Sequence, residues 1–121
     1  MRLTRNRVKW EQRKNPLQLP FERNCYFRSI SQEVGVSRRV LARYNERDKD
    51  DVLASGDVVY LKKKHRKADK EFRNRPHTVR SGESMYAISQ LYGIRLKSLY
   101  KLNHLDPEVY QIHVGDRLRV R

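Results

Sequence analysis

The sequence has a single cysteine, Cys25, among 121 residues. One thiol excludes an intrachain disulfide and any cysteine-rich zinc site. Carboxylates are also scarce, with 14 Asp and Glu against 28 Lys and Arg, which leaves a formal net charge of +14. No apolar run approaches the roughly 20 residues that a membrane-spanning helix needs. Hydrophobic residues make up 37% and charged residues 35%, so any core is small and the surface is dense in charge. The chain is too short for a large catalytic barrel of about 250 residues. It has room for one medium domain or two very small ones. The segment from Met1 to Trp10 is basic at its front, but no apolar stretch follows, so it does not read as a secretory signal. The expectation is a piece of a longer exported chain acting in the cell envelope, or a cytoplasmic protein.

What is present is a repeat. Shifted by 58 residues, Ile30, Ser31 and Gln32 fall on Ile88, Ser89 and Gln90; Gly35 falls on Gly93, Leu41 on Leu99 and Asn45 on Asn103. With one further residue in the second copy, Gly56 and Asp57 fall on Gly115 and Asp116. Self-similarity in this order signals two copies of one small unit.

In the second copy, residues 77–80 read as a strand. Residues 81–84 carry turn and helix-capping chemistry, hydroxyls and a carboxylate that can hold free amides. Met85, Ile88, Leu91 and Tyr92 follow at helical spacing, closed by Gly93. Leu96, Leu99 and Leu102 mark a second helix ending near Asn103, where a residue tolerant of left-handed geometry is expected. Residues 117–121 alternate as a half-buried strand does. The first copy repeats the course: a strand through Leu17, Leu19 and Phe21, helices over Phe27, Ile30, Val34 and over Val40, Leu41, Tyr44, and a strand at 58–61. Between the copies, Lys62–Arg75 holds eight basic and two acidic residues, with only Ala68 and Phe72 apolar. Such a block reads as a solvated linker with at most transient helix. The fold class is therefore α+β: residues 1–16 a basic arm, 17–62 and 76–121 two βααβ modules, and 63–75 the linker.

The second copy resembles the lysin motif (LysM) family. The residues that carry the resemblance are the run from His77 to Ile94, then Leu99 with Asn103, then Val114 to Val120; Glu83 stands where the family usually has Asp. The first copy resembles a degenerate member, with Asn24, Cys25, Tyr26 and Phe27 in place of the family's Gly-Asp-Ser/Thr-Leu. The pair is also similar to the tails of bacterial wall-lytic N-acetylglucosaminidases. The resemblance implies non-catalytic binding of N-acetylglucosamine-containing glycan, peptidoglycan or chitin-like, so that a fused or associated wall hydrolase is anchored to the wall. It implies a shallow sugar groove between two loops, Gly82, Glu83, Ser84 and Met85 on one side and Val109, Tyr110, Gln111 and Ile112 on the other. No cofactor or metal is implied.

The plainer roles are a turn and helix cap for residues 82–84 and a core position for Met85. His104, Asp106, Glu108 and His113 follow no metal-ligand spacing rule. The opposed carboxylates of a glycosidase cleft and the Ser/His/Asp and phosphate-loop patterns are missing from the sequence. The excess of positive charge suits an anionic envelope polymer. It also suits a nucleic-acid or scaffold role, although no helix-turn-helix, zinc finger or stacking-sheet signature accompanies it.

Overall fold

The computed structural model describes residues 16–18 and 25–121. The basic arm through residue 15, Trp10 included, and residues 19–24, with Leu19 and Phe21 of the expected first strand, lie outside the described residues. The chain divides into two compact units, with the boundary between Lys63 and Lys64.

In the first unit, β1 (Leu17–Gln18) pairs antiparallel with β4 (Val58–Val59), and β2 (Cys25–Tyr26) pairs antiparallel with β3 (Val52–Leu53). The second of these ladders was not expected, since Cys25 and Tyr26 read as loop. Between β2 and β3 run α1 (Phe27–Val34) and α2 (Arg38–Tyr44). Phe27, Ile30 and Val34 recur at helical spacing, so α1 buries one stripe against Leu41, Ala42, Leu53, Val59 and Leu61.

The second unit has β5 (His77–Thr78), α3 (Met85–Tyr92), α4 (Leu96–Leu102) and β6 (Arg117–Leu118). β5 and β6 are antiparallel neighbours, His77 opposite Leu118 and Thr78 opposite Arg117. Met85, Ile88, Ile94, Leu99, Leu118 and Val120 form the centre of its core. Ile30 and Ile88 are both buried, at 4% and 0% exposure. The helices α1 and α3 end on Gly35 and Gly93 at φ 75° and 68°. Each glycine donates its amide to the carbonyl four residues back, Ser31 and Ser89, and a residue with a Cβ would be strained in that conformation.

Each second helix ends on a buried or half-buried asparagine that holds a distant strand. Asn45, 1% exposed, donates from Nδ2 to the carbonyls of Leu41 (2.8 Å) and Tyr60 (2.9 Å) and accepts from the Tyr60 amide at 2.7 Å. Asn103 does the same with Leu99 (2.9 Å), the Arg119 carbonyl (2.9 Å) and the Arg119 amide (2.6 Å). This corrects the expected reason for asparagine at the helix end. Asn103 has φ −107° and is not left-handed. The positive φ falls one residue later, at His104 and at its counterpart Glu46.

The segment expected to be a solvated linker is packed on the second unit. The amide of His65 donates to Gly93 O and that of Arg95 to His65 O, both at 2.9 Å, and the amide of Ala68 donates to Val120 O at 2.6 Å. Arg121 Nη1 donates to Ala68 O at 2.8 Å. Lys64 is 3% exposed; its ammonium donates to Gln90 Oε1 at 2.6 Å and Ser89 Oγ at 3.4 Å and lies over the Tyr86 ring. Ala68 is buried in the core, and Phe72, on a 3-10 turn at Lys70–Phe72, packs edge-on against Tyr92 at 5.1 Å. Lys62, Lys63, Arg66 and Lys67 stay exposed, so their charge does not oppose docking of the main chain between them.

Asn103→Ala removes three side-chain hydrogen bonds, two of which join α4 to the strand end. Denaturant unfolding of the chain should show a loss of about 1–3 kcal/mol, the usual cost of leaving such groups unpaired. An unchanged midpoint and slope would show that the asparagine does not hold the strand.

Candidate functional site

The turn that leads from β5 into α3 is held by its own polar groups and by bonds to β5 and to the loop before β6. Val79 is buried and anchors the turn; its carbonyl accepts from Gly115 N at 2.9 Å and its amide donates to Asp116 O at 2.8 Å. The chain then reverses, with Glu83 N donating to Arg80 O at 3.2 Å. Gly82 has φ 83°, and a Cβ built there meets nothing within 4 Å. The turn therefore requires glycine for its backbone, and its outer side is open to an approaching ligand.

Glu83 and Ser84 take the plainer roles. Ser84 is the N-cap of α3, its Oγ accepting from Ala87 N at 3.0 Å. Glu83 Oε1 accepts from Arg80 N at 2.7 Å and meets His77 Nε2 at 2.9 Å. The other ring nitrogen of His77 lies 2.7 Å from the Tyr92 hydroxyl. One imidazole thus ties the strand, the turn and the far end of α3 together. Burial opposes the charged form of Glu83, but the Arg80 amide and His77 outweigh it, so its carboxyl is held below the ordinary value of 4.5. From the sequence, His77 reads as the first residue of a strand and its ring has no role; only its position opposite a turn carboxylate could have singled it out.

On the other loop, Tyr110 donates its hydroxyl to Asp116 Oδ2 at 2.6 Å, and the same oxygen accepts from His113 N at 3.1 Å. Burial and the adjacent carboxylate push the Tyr110 phenol up to about 12, so it stays protonated and remains a donor at any physiological pH. The phenol's hydrogen bond in turn holds Asp116 below its usual range. Tyr110 lines a cavity of about 230 Å³ with Asn103, Leu105, Asp116, Arg117 and Leu118.

Of the eight expected site residues, three share one cluster: Met85 is buried in the core, with Tyr110 and Ile112 packed against it. Gly82, Ser84, Val109 and Gln111 are exposed, Val109 at 74%. Glu83 is half-buried and held by the turn. The surface so formed offers an open glycine backbone, apolar side chains and a phenol, and none of these groups is poised for proton transfer.

Residues 77–121 match the LysM domain family. This part of the chain is a LysM domain. The match includes both strands, both helices and the two loops of the second unit. The chain is also similar to an autolysin of Enterococcus faecalis, 30% identical over 96 residues that make up 75% of this chain and 13% of the autolysin. This chain therefore spans a small part of that relative. Among solved structures, the spore cortex-lytic enzyme SleL of Bacillus cereus is similar at 24% identity, covering 88% of this chain and 22% of that one, with a TM-score of 0.35. Among the described residues, no helix is long and apolar enough to cross a membrane.

The depressed Glu83 carboxyl sets a pH dependence. Because its folded value lies below the unfolded one, its stabilisation is complete above the ordinary value of 4.5 and is lost as pH falls through the folded value. Glu83→Gln should therefore be less stable than the parent chain at neutral pH, and the difference should shrink on acidification below about pH 4.5. Melting curves across that range test it. A difference that stays constant with pH would show that the carboxylate is not held in the turn as described.

Proposed function

We propose that this chain binds N-acetylglucosamine-containing glycan through residues 77–121 and so holds a wall hydrolase, fused or associated, against its substrate. The observation that carries this reading is the LysM domain itself, with its Gly82 turn open on the outer side. The sugar lies against Gly82, Glu83, Ser84 and Met85 on one loop and Val109, Tyr110, Gln111 and Ile112 on the other. The turn backbone approaches the ring closely, the apolar side chains receive its acetyl methyl and apolar face, and Tyr110 offers a ring for stacking. Glu83 and Ser84 act mainly by fixing the turn, since their oxygens already accept amides. Similarity to a protein named autolysin supports the wall context. The role is binding without catalysis.

The first unit is, on the same reading, a diverged copy of the module. Support comes from its helix pair, its glycine at the end of α1 and the hydrogen bonds of Asn45. Its turn departs from the second copy where it matters for the ligand. The N-cap of α1 is Tyr26, which makes no side-chain capping bond, and this unit binds the glycan weakly or not at all.

Co-sedimentation with purified peptidoglycan tests the proposal. Binding should persist at high salt, because the sugar contacts are neutral. Gly82→Val, which forces a β-branched residue into a positive φ, and Val109→Glu, at an exposed position that leaves the core intact, should each lower it at least about tenfold, or ~1.4 kcal/mol. Unaltered high-salt binding by Val109→Glu in a folded chain would contradict the site.

A further inference from the structure

We propose that the second unit carries a phosphate-binding cleft, separate from the glycan loops. The cleft has a volume of about 310 Å³ and lies between residues 72–76 and the last residues of the chain. Four arginines line it, Arg73, Arg75, Arg119 and Arg121, over Phe72 and Pro76.

The local chain geometry sets two of these arginines on a rigid turn. The Phe72 ring is fixed against Tyr92, Arg75 N donates to Phe72 O at 3.1 Å, and Asn74 between the two arginines has φ 60°. The other wall is the extension of β6. Its place is set by the Ala68 amide on Val120 O and by the Asn103 amide group on Arg119. Arg121 Nη1 is spent on Ala68 O, and Arg119 Nη2 reaches the main-chain oxygen of Arg121 at 3.3 Å.

No Asp or Glu lines the cleft, and among the described residues none of the four arginines is ion-paired with an Asp or Glu side chain. In the first unit, by contrast, Arg38 sits on Asp50 and Arg47 on Asp51 and Asp57. Four guanidinium groups held together with no Asp or Glu side chain among them repel one another, and an anion relieves that repulsion. Guanidinium groups present paired donors that match the oxygens of a phosphate group. The space of about 310 Å³ is enough for a phosphoryl group and its substituent. Arg73, Arg75 and Arg119 are exposed at the rim and reach the anion, while the hydrogen bond of Arg121 keeps the floor in place. The chemistry is that of a phosphate monoester or diester, which a free phosphate or a lipid headgroup can supply.

Calorimetry on the full chain with pyrophosphate, and flotation with phosphatidylcholine vesicles with and without phosphatidic acid, separate the two sources. Arg73→Gln with Arg119→Gln should weaken binding at least about tenfold, whereas Lys97→Gln with Lys101→Gln, the same loss of charge on α4, should change it less than about twofold. Binding of an N-acetylglucosamine oligomer should be equal in all three chains. Saturable binding of pyrophosphate assigns the cleft to free phosphate, and binding confined to the acidic vesicles assigns it to a headgroup. Equal losses in the two double variants would overturn the proposal, because diffuse charge would then account for the binding. Tighter binding of a DNA duplex than of either probe, with a salt slope of several ions, would overturn it in favour of a nucleic-acid interface.

Discussion

The hydrogen bonds of one asparagine side chain fix most of the second unit. Helix α4 has seven residues, too few to hold together on its own, and β6 has two. Asn103 joins them by accepting from and donating to the backbone of Arg119 while closing the last turn of its own helix. With both ends pinned, residues 104–116 have little freedom, and the bond from Tyr110 to Asp116 fixes the middle of that loop. The position of β6 then sets β5 through their ladder, and β5 delivers the Gly82 turn to the start of α3. Asn45 holds Tyr60 in the first unit by two such bonds and closes its own helix with a third. A core this small gains stability from such side-chain to backbone links because burial alone supplies little.

Much of this was legible in the sequence where the signal is local. Apolar spacing marked the four α-helices of the described residues, and Gly35 and Gly93 marked the ends of two of them. Ser84 could be read as a helix cap from its type and place. The failures share a cause: the deciding partner lies far along the chain. Asn103 was read through its own backbone, whereas its role depends on Arg119. Residues 62–75 were read from their charge, but their main-chain groups bond to Gly93, Arg95 and Val120, and composition does not report backbone partners. Lys64 is the sharpest case: a lysine in a basic run, buried because Gln90, Ser89 and the Tyr86 ring receive its ammonium. The β2–β3 ladder escaped notice because two-residue strands leave no periodicity.

The two surfaces assigned to the second unit differ in physics. The two loops offer backbone, apolar side chains and a protonated phenol, and on the proposed reading they engage a neutral ligand by close fit. The arginine cleft offers charge, and its attraction is screened beyond about 8 Å at physiological salt. If both proposals hold, separate sites of this kind let one small module respond to two chemical features independently. The charge of +14 also speeds the approach to any anionic surface without deciding what is held there.

The central claim is that the LysM domain binds glycan at the two loops. The most direct measurement is a backbone amide NMR titration of the full chain with an N-acetylglucosamine tetramer. The account predicts shifts concentrated at residues 82–85 and 109–112, with residues 25–27 of the first unit little changed. Shifts centred on the first unit, or none at the two loops at saturating oligomer, would contradict it.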